Sequence, residues 1–146
     1  MYATIVSLAL ILAGLLSQPP APSSTTSSSL DFEVFKTKIQ PIFVAKRPGH
    51  ARCVSCHSSG TPLRLQPLPK GSTTWSDEDS KKNFQAVQRV VLPGVPLKSR
   101  LLVHPLAEAA GGDFYHNGGK HWESQSDPEW QTLKAWVLGT ARTGGD

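Results

Sequence analysis

The chain has 146 residues, the length of one ordinary domain, of which 38 % are hydrophobic and twelve each are Pro and Gly. So lean a core is easier to build if something other than side chains fills it. The formal charge of +4 comes from basic residues scattered along the chain rather than gathered into a stripe, which argues against a nucleic-acid partner.

Ala3 to Leu16 is an uncharged, mostly aliphatic run interrupted only by Ser7 and Gly14. It suits the core of a signal peptide better than a full membrane span, which takes roughly 20 apolar residues. No basic residue precedes it, and Leu15-Leu16-Ser17 is the nearest approach to a cleavage site, so residues 1–17 are read as a signal peptide or an uncleaved membrane anchor. A lipid anchor on a lipobox cysteine is excluded, because the two cysteines stand at positions 53 and 56. Residues 18–30 are rich in Pro, Ser and Thr with no hydrophobic period, which makes them a linker. The folded domain is expected over 31–142.

Within it, Phe32, Phe35, Ile39, Ile42 and Phe43 follow steps of three and four, the spacing of one apolar helix stripe. Pro41 falls inside that stripe and predicts a kink or an end there. Pro48-Gly49 predicts a turn. Ser58 to Thr74 reads as a loop anchored by Leu63, Leu65 and Leu68. Ser76, followed by Asp77, Glu78 and Asp79, predicts a capped helix with Phe84, Val87 and Val91 inward, stopped by Pro93-Gly94. Ser99 is expected to cap a short helix through Leu101 and Leu102. Asp127 as cap, Pro128 at the first position and Gly139 at the end bracket a last helix that should bury Trp130, Leu133, Trp136 and Val137. With no strand pattern, the fold class is all-α.

Between the first two helices stands Cys53-Val54-Ser55-Cys56-His57. Two thiols at this spacing reach the two vinyl groups on one edge of a haem, and the histidine that follows turns onto the iron. The alternatives fit less well. A disulfide across three residues would close a tiny loop, and a thioredoxin-like pair would want a preceding strand. Zinc would need two further ligands, and only distant histidines are at hand. The expectation is one covalently attached haem c, held by Cys53 and Cys56 with His57 as an iron ligand. The attachment chemistry belongs outside the cytoplasm, in agreement with the N-terminal segment.

The single methionine is Met1, so thioether ligation of the iron from the folded part is ruled out. The remaining nitrogen donors are His50, His104, His116 and His121. His50, three residues before Cys53, should stay on the attachment side as a surface residue. His104 reads as a core or surface residue of the short helix. His116 and His121 flank Asn117-Gly118-Gly119-Lys120, a loop just before the last helix.

Ile39 to Phe43, then Cys53 to His57, then Pro93 to Leu102, His116-Asn117-Gly118-Gly119 and Trp136 to Gly139 occur in the order found in small class I-type cytochrome c modules. The chain resembles these modules, common in planctomycetes and acidobacteria, over residues 32–140. The resemblance implies a small helical domain wrapped around one covalently bound haem. It further implies that the sixth ligand precedes the last helix, as Met-Pro or as a histidine followed by a glycine-rich turn. His116 matches the second form, with His121, His104 or no protein ligand as alternatives. Two nitrogen ligands saturate the iron, which points to electron transfer at a lower potential than His/Met ligation gives.

The expected partners are redox proteins, among them a membrane respiratory or photosynthetic complex. Lys46, Arg47 and Arg52 before the motif and Arg64 after it form either a solvated face or a docking patch for an acidic partner. The location expected is periplasmic or otherwise extracytoplasmic, secreted or membrane-tethered. Other roles compatible with the sequence are a haem-bearing subunit of a larger membrane or filament complex, and a sensor or peroxidase-like protein with a displaceable sixth ligand.

Overall fold

A computed structural model of the chain describes residues 29–141 and 143. The signal or anchor segment and most of the linker lie outside the described residues. Among the described residues secondary structure is helical, with only two isolated bridges, Arg47 with His50 and Leu106 with Trp122. No described helix is long and apolar enough to cross a membrane.

Helix α1 is a continuous run over 32–44, opened by the Asp31 carboxylate accepting from Val34 N at 2.8 Å. Pro41 does not end it. The run instead passes through a π-helical turn, Phe35–Ile39, and resumes as an α-helix over Gln40–Val44 with Pro41 in the first turn. A first-turn position asks for no N–H, so the proline is accommodated there, and the irregularity falls on the residues before it. The short helix α2, Cys53–His57, carries the motif.

Helix α3, Asp77–Gln88, is capped by Ser76, whose hydroxyl accepts from Asp79 N. It buries Val87 as expected, together with Ser80 and Asn83. Asn83 accepts from Gln66 N at 2.6 Å and Ser80 from Gln40 Nε2 at 3.1 Å, so these polar side chains hold the loop after α2 and helix α1. The helix stops at Gln88, before Pro93-Gly94, because Arg89 N and Val90 N turn back onto Ala86 and Val87. The Val90 carbonyl then accepts from Leu101 N at 3.0 Å.

Ser99 stands at the start of α4, Arg100–Val103, but its hydroxyl does not cap that helix. Fully buried, it accepts from Leu92 N at 2.9 Å and bonds to the carbonyls of Leu92 and Val95. Helix α5, Pro128–Val137, has the cap and the buried face read from the sequence: Asp127 accepts from Glu129 N at 2.9 Å, and Trp130, Leu133, Trp136 and Val137 are inside.

Helices α1 and α5 dock on an aromatic cluster in which Phe35 lies 5.7 Å from Trp136 and 5.2 Å from Phe84, centre to centre. All four tryptophan N–H groups have acceptors: Trp75 bonds Gln66 O, Trp122 Glu129, Trp130 Leu102 O, and Trp136 Asp31 O. The last of these, at 2.9 Å, joins the start of α1 to the end of α5.

Removing the buried Ser99 hydroxyl takes the acceptor from Leu92 N–H and the donor from its own carbonyl partners, so Ser99→Ala should lower stability by about 2 kcal/mol in urea unfolding. Ser76→Ala, which removes an exposed cap, should cost about 1 kcal/mol.

Candidate functional site

The motif follows helix α1 after an eight-residue connection, and the loop over 104–122 precedes α5. The α1–α5 contact therefore turns the motif and the loop toward one cleft. Cys53, Cys56, His57, His104, His116 and His121 all line it. Phe43, Leu63, Val90, Leu101 and Trp122 supply apolar wall. Arg52 and Arg100 also line it, no carboxylate does, and neither guanidinium has a partner among the described residues.

Cys53 and Cys56 are free thiols, one helical turn apart. Burial pushes the Cys53 thiol up, against the pull of the Arg47 charge, and keeps it protonated. Cys56 is exposed.

His57 is fixed at Nδ1, which lies 3.0 Å from Leu63 O and 3.0 Å from Thr61 Oγ1. Leu65 N donates to His57 O at 2.7 Å, clamping the backbone at the same point. His116 sits at the head of a turn closed by Gly119 N donating to His116 O at 2.9 Å, and Gly119 takes the left-handed φ of 77° that the turn requires. His116 Nδ1 lies 2.5 Å from Gly119 O. A carbonyl oxygen can only accept, so Nδ1 carries a hydrogen in both rings. Burial, reinforced by the neighbouring His104, His57 and Lys120, holds the His116 pKa below its usual value against the Gly119 carbonyl, and so keeps the ring neutral.

The His57 and His116 ring centres stand 6.2 Å apart with planes 16° from parallel. With a metal–nitrogen bond of about 2.0 Å and about 1.1 Å from nitrogen to ring centre, two imidazoles on opposite sides of one ion stand roughly 6.2 Å apart. The spacing of the pair matches that of bis-imidazole ligation, and each ring has a carbonyl at Nδ1 of the kind that such ligands use.

The other histidines sit differently from the sequence expectation. His104 is half-buried just beyond α4, with Nδ1 2.7 Å from Asp113 Oδ2 and its ring 5.0 Å from that of His116. Nothing in the spacing of His104 and Asp113 announces this pair. His121 lies 5.7 Å from His116, with a buried Nδ1 that has no partner. His50 is half-buried rather than superficial, its ring 5.0 Å from that of His121. Gly118 makes room for the distal rings: a Cβ there would stand 3.3 Å from His116 Cε1 and 3.8 Å from His121 Nε2.

Of the basic residues grouped before the motif, Arg47 is not a docking charge. Its side chain is 12 % exposed and bonded to Glu129, with Nη2 also donating to Ile42 O at 3.0 Å. Lys46 and Arg64 are exposed, and Arg52 is on the cleft wall.

Among the described residues no strand precedes the motif, and no three His, Cys, Asp or Glu side chains converge in a way that could hold a bare metal ion. Comparison with protein-family models, with curated proteins and with solved structures finds no match to this chain.

His121 is pushed down to about 4, first by burial and then by Arg47 and the neighbouring histidines. Unfolded, a histidine titrates near 6.5, so between about 6.5 and 4 the unfolded chain binds a proton that the folded one refuses. Stability should fall as pH drops through that window and level off below it. His121→Gln should flatten the profile measured by urea unfolding at stepped pH.

Proposed function

We propose that this chain is an extracytoplasmic mono-haem c-type cytochrome domain that carries electrons, with the iron held between His57 and His116. The observation that carries the reading is the 6.2 Å spacing and near-parallel planes of these two imidazoles in a cleft whose wall also holds both thiols of the Cys-x-x-Cys-His motif. Cys53 and Cys56 would be the attachment residues: each S–H would add across a vinyl C=C to give a thioether, with no leaving group and no net change of electron count. The apolar walls suit the porphyrin plate, and two unpaired arginines with no opposing carboxylate suit the two carboxylates at its edge. The bound group would supply a one-electron ferrous/ferric couple.

The chain's own contribution is orientation and exclusion. Leu63 O fixes His57 and Gly119 O engages His116, each at Nδ1, which leaves Nε2 of each ring as the nitrogen that would meet the metal. His57 and His116 would hold the iron and leave substrate no place on it, and the exposed Cys56 marks the edge at which electrons would be exchanged. Lys46 and Arg64 are the charges left to meet an acidic redox partner.

Expressed with a cytochrome c maturation system, the protein should hold one haem that resists acid-acetone extraction and gives a six-coordinate low-spin spectrum without a methionine-to-iron band. His116→Ala should turn the ferric iron high-spin, whereas His104→Ala and His121→Ala should leave it low-spin. A high-spin wild-type protein that takes up CO readily would overturn bis-histidine ligation, and extractable haem would overturn the covalent attachment.

A further inference from the structure

Asp113 and His104 take no part in the ligation proposed above, yet they are built against it. We propose that Asp113, acting through His104, sets the rotation of the His116 imidazole and thereby the angle between the two axial rings. This rests on the bis-histidine reading.

A ligated imidazole can turn about its metal–nitrogen bond unless something stops it. For His57 the stops are Leu63 O and Thr61, on the loop that follows α2. For His116 the Nδ1 contact to Gly119 O lies within the turn that carries the ring itself, whose residues Asn117 and Gly119 are exposed. A stop within the same turn moves with the ring and cannot fix its angle to the rest of the domain.

His104 is anchored elsewhere. Its ring meets that of His116 at 74°, edge to face, with centres 5.0 Å apart. Asp113 holds His104 Nδ1 at 2.7 Å, and Asp113 N donates to Val103 O at 2.9 Å, which ties the aspartate to α4. Lys120 Nζ closes the frame by donating to His104 O at 3.1 Å and to Asp113 O. The ring of His104 is therefore referenced to α4 and, through Trp130 Nε1 and Leu102 O, to α5. His121 also meets His116 edge to face, at 5.7 Å and 65°, but its Nδ1 has no partner to hold it. Asp113 and His104 are thus positioning residues, and the 16° between His57 and His116 is what they maintain.

The angle between axial imidazoles governs how the iron d orbitals split. Near-parallel rings give ferric low-spin iron a rhombic electron paramagnetic resonance signal, whereas crossed rings give a strongly anisotropic one dominated by a single large g value. The test uses the full-length, haem-loaded protein as wild type, Asp113→Ala and Asp113→Asn, each followed by its optical spectrum and frozen-solution resonance. The wild type should be rhombic. Asp113→Ala should stay low-spin and shift toward the large-g signal. Asp113→Asn keeps a carbonyl oxygen for the Nδ1 hydrogen and should stay close to wild type. His104→Ala, which removes the stop itself, should reproduce the Asp113→Ala signal and serves if that variant folds poorly.

An unchanged signal in both Asp113→Ala and His104→Ala would overturn the proposal while leaving bis-histidine ligation intact. So would an Asp113→Asn signal displaced as far as that of Asp113→Ala, since charge rather than the hydrogen bond would then be acting. A wild-type iron that is not low-spin would remove the ligation reading and this proposal with it.

Discussion

Everything at the cleft depends on the docking of the first described helix against the last. Phe35 and Trp136 pack in the core with their ring planes tilted by 37°, and the Trp136 indole donates to the Asp31 carbonyl at the very start of α1. Burying two large aromatic side chains in one contact is worth several kcal/mol. The geometric effect is larger than the energetic one. The motif follows α1 by eight residues and the loop carrying His116 precedes α5, so this one contact sets the separation of two histidines that lie far apart in the chain. The Arg47–Glu129 pair repeats the tie at the other end of the same two helices.

Burial with neighbouring positive charge opposes protonation of His116 and His121, and at His116 it does so against the Gly119 carbonyl. A cluster of five imidazoles in so small a volume would repel itself if several were charged. Among the described residues the one carboxylate bonded to this cluster is Asp113, on His104.

What could be read in the sequence was whatever is encoded locally. The motif, the Asp127-Pro128 start of α5, its buried face and the glycine turn after His116 all depend on residues within a few positions of one another. The misreadings concern residues whose roles come from distant partners. Ser99 has the sequence of a cap but is drawn off by Leu92 and Val95. Arg47 looks like surface charge until Glu129, far along the chain, reaches it. Ser80 and Asn83 break the apolar period of α3 because they bond to α1 and to the loop after the motif. The π turn before Pro41 is a backbone solution that no residue type specifies. The His104–Asp113 pair is formed across a loop whose closure depends on Lys120, and neither its spacing nor its composition differs from a solvated segment.

The tryptophans have a consequence beyond packing. One of the four indoles, Trp122, forms part of the cleft wall, and Trp130 reaches α4 through its N–H. Indole emission is absorbed efficiently by a flat, strongly coloured molecule at short range. The chain therefore carries its own optical gauge of what lies in the cleft: bright when a colourless guest or solvent is there, dark when a porphyrin is.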